Sequence, residues 1–192
     1  MPSTRTVLLG LATSLLLPAC SAQPRTITTD RDVSDVQKTR ALVEVGTMAP
    51  EFTIEMLDGT RIDSRDLHGQ VVVLDFWTTW CLGCVQELPV MDEFSDLVDQ
   101  QELPITVIAV NTHPNRDGEK HLAQVRSYLD QNGIELPIGL DPSGNPMAER
   151  FGVTAFPTNV IIDPEGRVAA TNVGMKTGYI DWLMGQAHAA ME

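Results

Sequence analysis

Two cysteines stand three positions apart in "DFWTTWCLGCVQELP", residues 75–89. Thiols at that spacing can hold a metal, staple a loop or cycle between dithiol and disulfide. A structural zinc site needs four thiolate or imidazole ligands. No second C-x-x-C accompanies Cys81 and Cys84, and His68, His113, His121 and His188 are too scattered to complete one; each reads as a surface residue. A purely structural disulfide is equally poor, because closing so short a loop removes little entropy from the unfolded chain. Redox chemistry suits the position best. An apolar run, "VVVLDFW", precedes the pair and a helical pattern follows it, so Cys81 falls at a helix N-terminus, where free backbone N–H groups and the helix dipole favour a thiolate. Cys81 is then the attacking sulfur. Cys84, one turn on, can attack the mixed disulfide that Cys81 forms and release the product.

The surrounding elements must hold that pair in place. "EFTIEML" with Asp58-Gly59 starts a β-hairpin, and 71–77 reads as a buried strand. A helix is expected over 82–100, kinked at Pro89, with Leu88, Met91, Phe94, Leu97 and Val98 at helical spacing. "ITVIAVN" gives a second apolar strand. Residues 119–131 form a helix with Leu122, Val125, Tyr128 and Leu129 on one face, stopped by Asn132-Gly133. A short strand near 137–140 and a short helix over 146–151, closed by Gly152, follow. "TNVIID" and "RVAATNVG" flank the Pro164-Glu165-Gly166 turn as an antiparallel hairpin, and Thr177 is placed to cap a last helix with Tyr179, Ile180, Leu183 and Met184. A βαβ half followed by a ββα half implies an α/β fold, a central mixed sheet with helices on its faces.

Composition bounds the function. The chain has 192 residues, 43% of them hydrophobic and 20% charged, enough for one globular core. Its net charge of −13 has no basic run, which gives no reason to expect nucleic acid as a partner. At the N-terminus Arg5 precedes the apolar stretch 7–17, and Pro18-Ala19 lead into Cys20. That is the layout of a signal peptide over 1–19, too short to span a bilayer as a mature helix. Leu17-Pro18-Ala19-Cys20 resembles the bacterial lipobox, with proline where a small or β-branched residue is usual; lipidation at Cys20 would also account for the odd third cysteine. Residues 20–44 are rich in Ser, Thr, Asp and Arg and read as a flexible tether. The folded domain is expected over 45–192.

"VVVLDFWTTWCLGCVQELP", followed much later by "FGVTAFPTNVIIDPEGRV", resembles the thioredoxin superfamily, and within it the TlpA/ResA-like thiol-disulfide oxidoreductases of the bacterial cell envelope. "GTMAPEFTIEMLDGTRIDSRDLHGQ" resembles the N-terminal hairpin extension those proteins share with peroxiredoxins. The resemblance implies a thioredoxin-like fold over most of the exported domain and further site residues. Pro157 matches the family's cis-proline, beside which the backbone of Phe156 would pair with an extended substrate segment. Trp80 would form an aromatic wall of the site, with Trp77, Phe52 and Phe76 in the core. Asp75 matches the buried aspartate of thioredoxins, and Glu87 the glutamate of the C-x-x-C-x-x-E pattern in ResA-like proteins; either could be the proton acceptor for Cys84. Leu82-Gly83 between the cysteines and Phe156 before the proline depart from the family's commoner residues.

The resemblance therefore implies a protein-disulfide reductase in the cell envelope outside the cytoplasm, lipid-anchored to a membrane. It needs no dissociable cofactor, because the Cys81–Cys84 disulfide carries the electrons. Its partners would be protein thiols and disulfides, apocytochrome c during cytochrome c maturation among them, and an integral-membrane electron donor. Two other readings compete with this one: a peroxiredoxin-like peroxidase, in whose P-x-x-x-T-x-x-C motif Leu74 stands where proline belongs although Thr78 fits, and a copper-delivery chaperone, whose C-x-x-x-C is one residue longer than this spacing.

Overall fold

A computed structural model describes residues 41–112, 118–141, 144 and 146–192. The signal segment, Cys20, most of the tether and His113 lie outside the described residues. Among these residues seven strands form one sheet in the order β2-β1-β5-β4-β3-β6-β7. They are β1 (Thr53–Met56), β2 (Arg61–Asp63), β3 (Val71–Trp77), β4 (Ile105–Asn111), β5 (Ile138–Leu140), β6 (Thr158–Ile162) and β7 (Val168–Val173). Strands β3, β4 and β5 run parallel, while β6, β7, β1 and β2 join antiparallel. The mixed sheet expected from the sequence is present.

Among the described residues four α-helices accompany the sheet: α1 (Leu82–Gln100), α2 (Gly118–Asn132), α3 (Pro146–Phe151) and α4 (Tyr179–Ala190). Alternation in β3 divides the core. Val71, Val73 and Trp77 join α1, α2 and α4 in one apolar cluster, whereas Val72, Leu74 and Phe76 join α3 and β1 in the other. Both clusters bury every side chain of β3, so its continuous apolar run is the signature of a strand covered on two sides. Asp75 breaks that run on the α1 side.

Turn chemistry falls where the residue types require it. Gly59 has φ +90° in the first hairpin, and Gly133 has φ +62° directly after α2, a conformation glycine adopts without steric penalty. At the β6–β7 turn the Asp163 carboxylate accepts hydrogen bonds from the N–H groups of Glu165 and Arg167. Packing begins ahead of Val45. Leu42 and Val43 lie against the α3-side cluster, and the Val43 N–H donates to the Phe151 carbonyl at 3.0 Å. Gly152 has φ +69°, and a Cβ there would run into the Ala41 carbonyl oxygen.

Two local expectations need correction. The cap of α4 is Gly178, in the left-handed region, with no side-chain cap bond, so Thr177 does not fill that role; Thr177 is one residue too early, and a glycine supplies the backbone turn instead. His121 is buried, not on the surface. It extends the inward stripe Val125 and Leu129 by one turn of α2, and its Nε2 lies 2.7 Å from Asn111 Oδ1 at the end of β4.

Candidate active site

Cys81 and Cys84 are disulfide-bonded, with Cα atoms 5.2 Å apart. Cys81 is the N-cap of α1, in extended backbone conformation, and its sulfur accepts the Cys84 N–H at 3.1 Å. That N–H is one of the unpaired donors of a helix start. On a neutral sulfur the contact is weak; on the thiolate of the reduced protein it becomes charge-assisted. The two sulfurs differ in access. Cys81 is half-buried and Cys84 wholly buried, so an incoming molecule meets Cys81.

Pro157 covers the pair from β6. Its bond to Phe156 is cis, and a Cβ built on Gly83 would sit 3.4 Å from the proline ring and 4.0 Å from the Cys81 sulfur. A Cβ at residue 83 would thus sit in ordinary van der Waals contact with the proline ring, which marks how closely the start of α1 lies against Pro157. Beyond Pro157, the chain is held to β7 by the Gly174 N–H donating to the Pro157 carbonyl at 2.9 Å. Trp80 stands at the rim, 61% exposed, its ring edge-on to Phe156 at 6.0 Å between centroids. Leu82 is 74% exposed. Together they give the sulfurs an apolar border facing solvent.

A polar row lies inside the apolar core on the α1 side of the sheet. Asp75 on β3 is directly opposite Asn159 on β6, which is directly opposite Asn172 on β7. Asp75, Asn159 and Glu87 of α1 are fully buried, as is the side chain of Tyr179 to within 3%. The Asn159 amide donates to Asp75 Oδ1 at 3.0 Å. The remaining oxygen of Asp75, both oxygens of Glu87, Asn159 Oδ1 and the Tyr179 hydroxyl meet no partner in strict hydrogen-bond geometry. Burial pushes the Asp75 carboxyl well above the ordinary carboxylate range, and the neighbouring Glu87 charge pushes it further; the Asn159 hydrogen bond opposes both. Burial also pushes Glu87 up to about 7, opposed by nearby Tyr179 and Asn159. Glu87 is thus buried, close enough to Asp75 for the two charges to interact, and it follows the buried Cys84 by three residues on the same face of α1.

Asn159 and Tyr179 were not singled out from the sequence as site residues. A signal for Asn159 was present: it interrupts the apolar strand "TNVII" as Asp75 interrupts "VVVLDFW", and aligning the two breaks across an antiparallel pair would have placed them together. Tyr179 looked like one more apolar position on an amphipathic helix.

Residues 45–171 match the AhpC/TSA family. The thiol-disulfide oxidoreductase ResA of Bacillus thuringiensis (strain Al Hakam) is 31% identical over 135 residues, 70% of this chain and 73% of its own length. A crystal structure from Chlorobium tepidum, described as a thiol:disulfide interchange protein DsbE, superposes with a TM-score of 0.65 at 29% identity, covering 78% of this chain and 99% of that one. The pneumococcal exposed lipoprotein thioredoxin of Streptococcus pneumoniae strain TIGR4 does so with a TM-score of 0.61 at 28% identity, covering 73% and 99%. With a C-x-x-C pair at a helix start, a cis-proline against it and a mixed sheet below, the chain belongs to the AhpC/TSA family and, within the thioredoxin superfamily, to the TlpA/ResA-like thiol-disulfide oxidoreductases.

Proposed function

We propose that the protein reduces disulfides of other proteins outside the cytoplasm. The observation that carries this reading is the asymmetry of the pair: a half-buried Cys81 at a helix N-terminus and a wholly buried Cys84 on the helix face that also carries the buried Glu87. In the reduced protein the Cys81 thiolate attacks one sulfur of a substrate disulfide. A mixed disulfide forms and the substrate's other sulfur leaves as a thiolate. Cys84 then gives its proton to the buried carboxylate and attacks the Cys81 sulfur, which closes the intramolecular disulfide and frees the second substrate thiol. Two electrons pass from the dithiol to the substrate, so a donor must restore them each cycle.

Apocytochrome c is the substrate that the TlpA/ResA-like resemblance suggests, with an integral-membrane protein as the electron donor. Lipidation of Cys20 would hold the enzyme at the membrane, a reading supported by the likeness to the pneumococcal exposed lipoprotein thioredoxin. The apolar rim of Trp80, Leu82 and Phe156 suits an extended polypeptide segment lying across the sulfurs.

Equilibrating the full chain in graded thiol buffers and trapping free thiols gives the reduction potential. A value near or below that of thioredoxin, about −270 mV, is expected of a reductant. A value near about −120 mV, that of the strong oxidant DsbA, would make the protein a disulfide donor and end the reductase reading.

A further inference from the structure

Asn159 stands where the pattern of β6 calls for an apolar side chain, since every residue of that strand is buried. An amide costs free energy in such a place unless a partner offsets it. We propose that Asn159 is a positioning residue of the reaction: its side-chain amide fixes the Asp75 carboxyl and stabilises the carboxylate that accepts the proton of Cys84. The inference rests on the reductase reading for the identity of the reaction, but the coupling of the two side chains is measurable without it.

Asp75 has a neighbour on each side in the sheet. On β4 the residue in register with it is Ala109, which has no side-chain donor; on β6 it is Asn159. Asp75 and Asn159 are both wholly buried, and Asn159 Nδ2 donates to Asp75 Oδ1 at 3.0 Å. Among the described residues no other side chain bonds this carboxyl in strict geometry: Asp75 Oδ2 has no partner, and both oxygens of Glu87 are likewise without one. A carboxyl in a dry core with no donor keeps its proton and can accept none. One charge-assisted hydrogen bond shifts the balance toward the ionised form. Asn159 holds that bond steady, because it lies on a strand paired on both sides, with β3 and with β7. It also carries no charge of its own, so it favours the carboxylate at every pH. Two residues earlier on the same stretch of chain, Pro157 lies against the start of α1. One strand thus brings the proline to the cysteine helix and the amide to the acid. The titratable groups facing Asp75 are Glu87 from α1, the helix that also carries Cys84, and Tyr179 from α4; β6 and β7 add the neutral amides Asn159 and Asn172 to the row.

The test uses the full chain. In its disulfide form and without substrate, nitrogen-15 spectra of the wild type should show the Asn159 side-chain amide moving with the titration of the Asp75 carboxyl carbon. An amide signal that ignores that titration overturns the proposal before any residue is changed. Asn159→Leu keeps the side-chain volume close and removes the donor. The Asp75 proton affinity should then rise about tenfold or more, because a hydrogen bond to the charged form is lost, and the pH profile of disulfide exchange should move to higher pH by the same factor. An Asp75 titration that stays in place overturns the proposal. A merely structural amide would slow exchange to the same degree whether or not residue 75 can ionise. The effect of Asn159→Leu should instead nearly vanish in an Asp75→Asn background, and a loss of the same size there overturns the proposal. A chain that shows the coupled titration but reduces no protein disulfide would refute the reductase reading and leave the link between Asn159 and Asp75 standing.

Discussion

At the scale of single residues, the site separates attack from proton handling. In the proposed reaction Cys81, half-buried, is the sulfur a substrate reaches, whereas Cys84, Asp75 and Glu87 are fully buried. Asp75→Asn keeps the shape and the Asn159 neighbour but removes an ionisable group. It should slow disulfide exchange by about tenfold to a hundredfold and shift the thiol titration, followed by stopped-flow reduction of a model disulfide across pH. Unchanged rates and titration would remove Asp75 from the mechanism. Both acids were visible in the sequence, Asp75 as a charge within an apolar strand and Glu87 through its spacing from Cys84. Their meeting in one pocket was not, because it depends on how α1 lies over β3 and on the β3–β6 register. His121 illustrates the opposite failure: a histidine read as polar completes an inward stripe when a buried asparagine can receive it.

At the scale of elements, α1 carries its own irregularity and a neighbour repairs it. Pro89 lies inside the helix and has no N–H to give the carbonyl four residues earlier. That carbonyl belongs to Val85, and the Tyr128 hydroxyl of α2 donates to it at 3.0 Å. The same ring packs against Trp77 at 6.0 Å between centroids, so one side chain both satisfies the kink and ties α2 to β3. Tyr128→Phe retains the ring contact and leaves the carbonyl without its protein donor; we expect a loss of about 1 kcal/mol in denaturant unfolding, since the site is only partly shielded from water. In a Pro89→Ala background the helix supplies the missing N–H, and the same substitution should have a much smaller effect. Equal losses in both backgrounds would show that Tyr128 stabilises by other means. Helix limits were legible here because α1 and α2 have strong periodicity and clear stops, Asn132-Gly133 among them. The cap of α4 was not, since Thr177 and Gly178 are both plausible helix starts and only the backbone path distinguishes them.

At the scale of the whole molecule, the core between β3 and α1 holds two ionisable groups that oppose folding as pH rises. Strand order was readable as a βαβ half and a ββα half, but which strands would bring polar residues to the same layer depends on pairing across β3, β6 and β7. That pairing and the packing of α1 leave Asp75 and Glu87 where burial raises the proton affinity of each above its unfolded value. A carboxyl whose folded pKa is raised contributes stability that is fully present below its unfolded value and is lost as pH climbs through its folded value. For Glu87 the window runs from 4.5 to about 7, and a change of that size corresponds to roughly 3 kcal/mol. The disulfide form should accordingly be more stable toward denaturant at about pH 5 than at about pH 8, with the loss concentrated in that window. Glu87→Gln, which is neutral at every pH, should flatten most of the slope, and Asp75→Asn should leave the Glu87 part in place while removing any further loss at higher pH. A wild-type stability that rises across the window would mean that the folded protein binds fewer protons there than the unfolded chain, and the buried acids would then lack the raised proton affinity that suits them to accept the Cys84 proton.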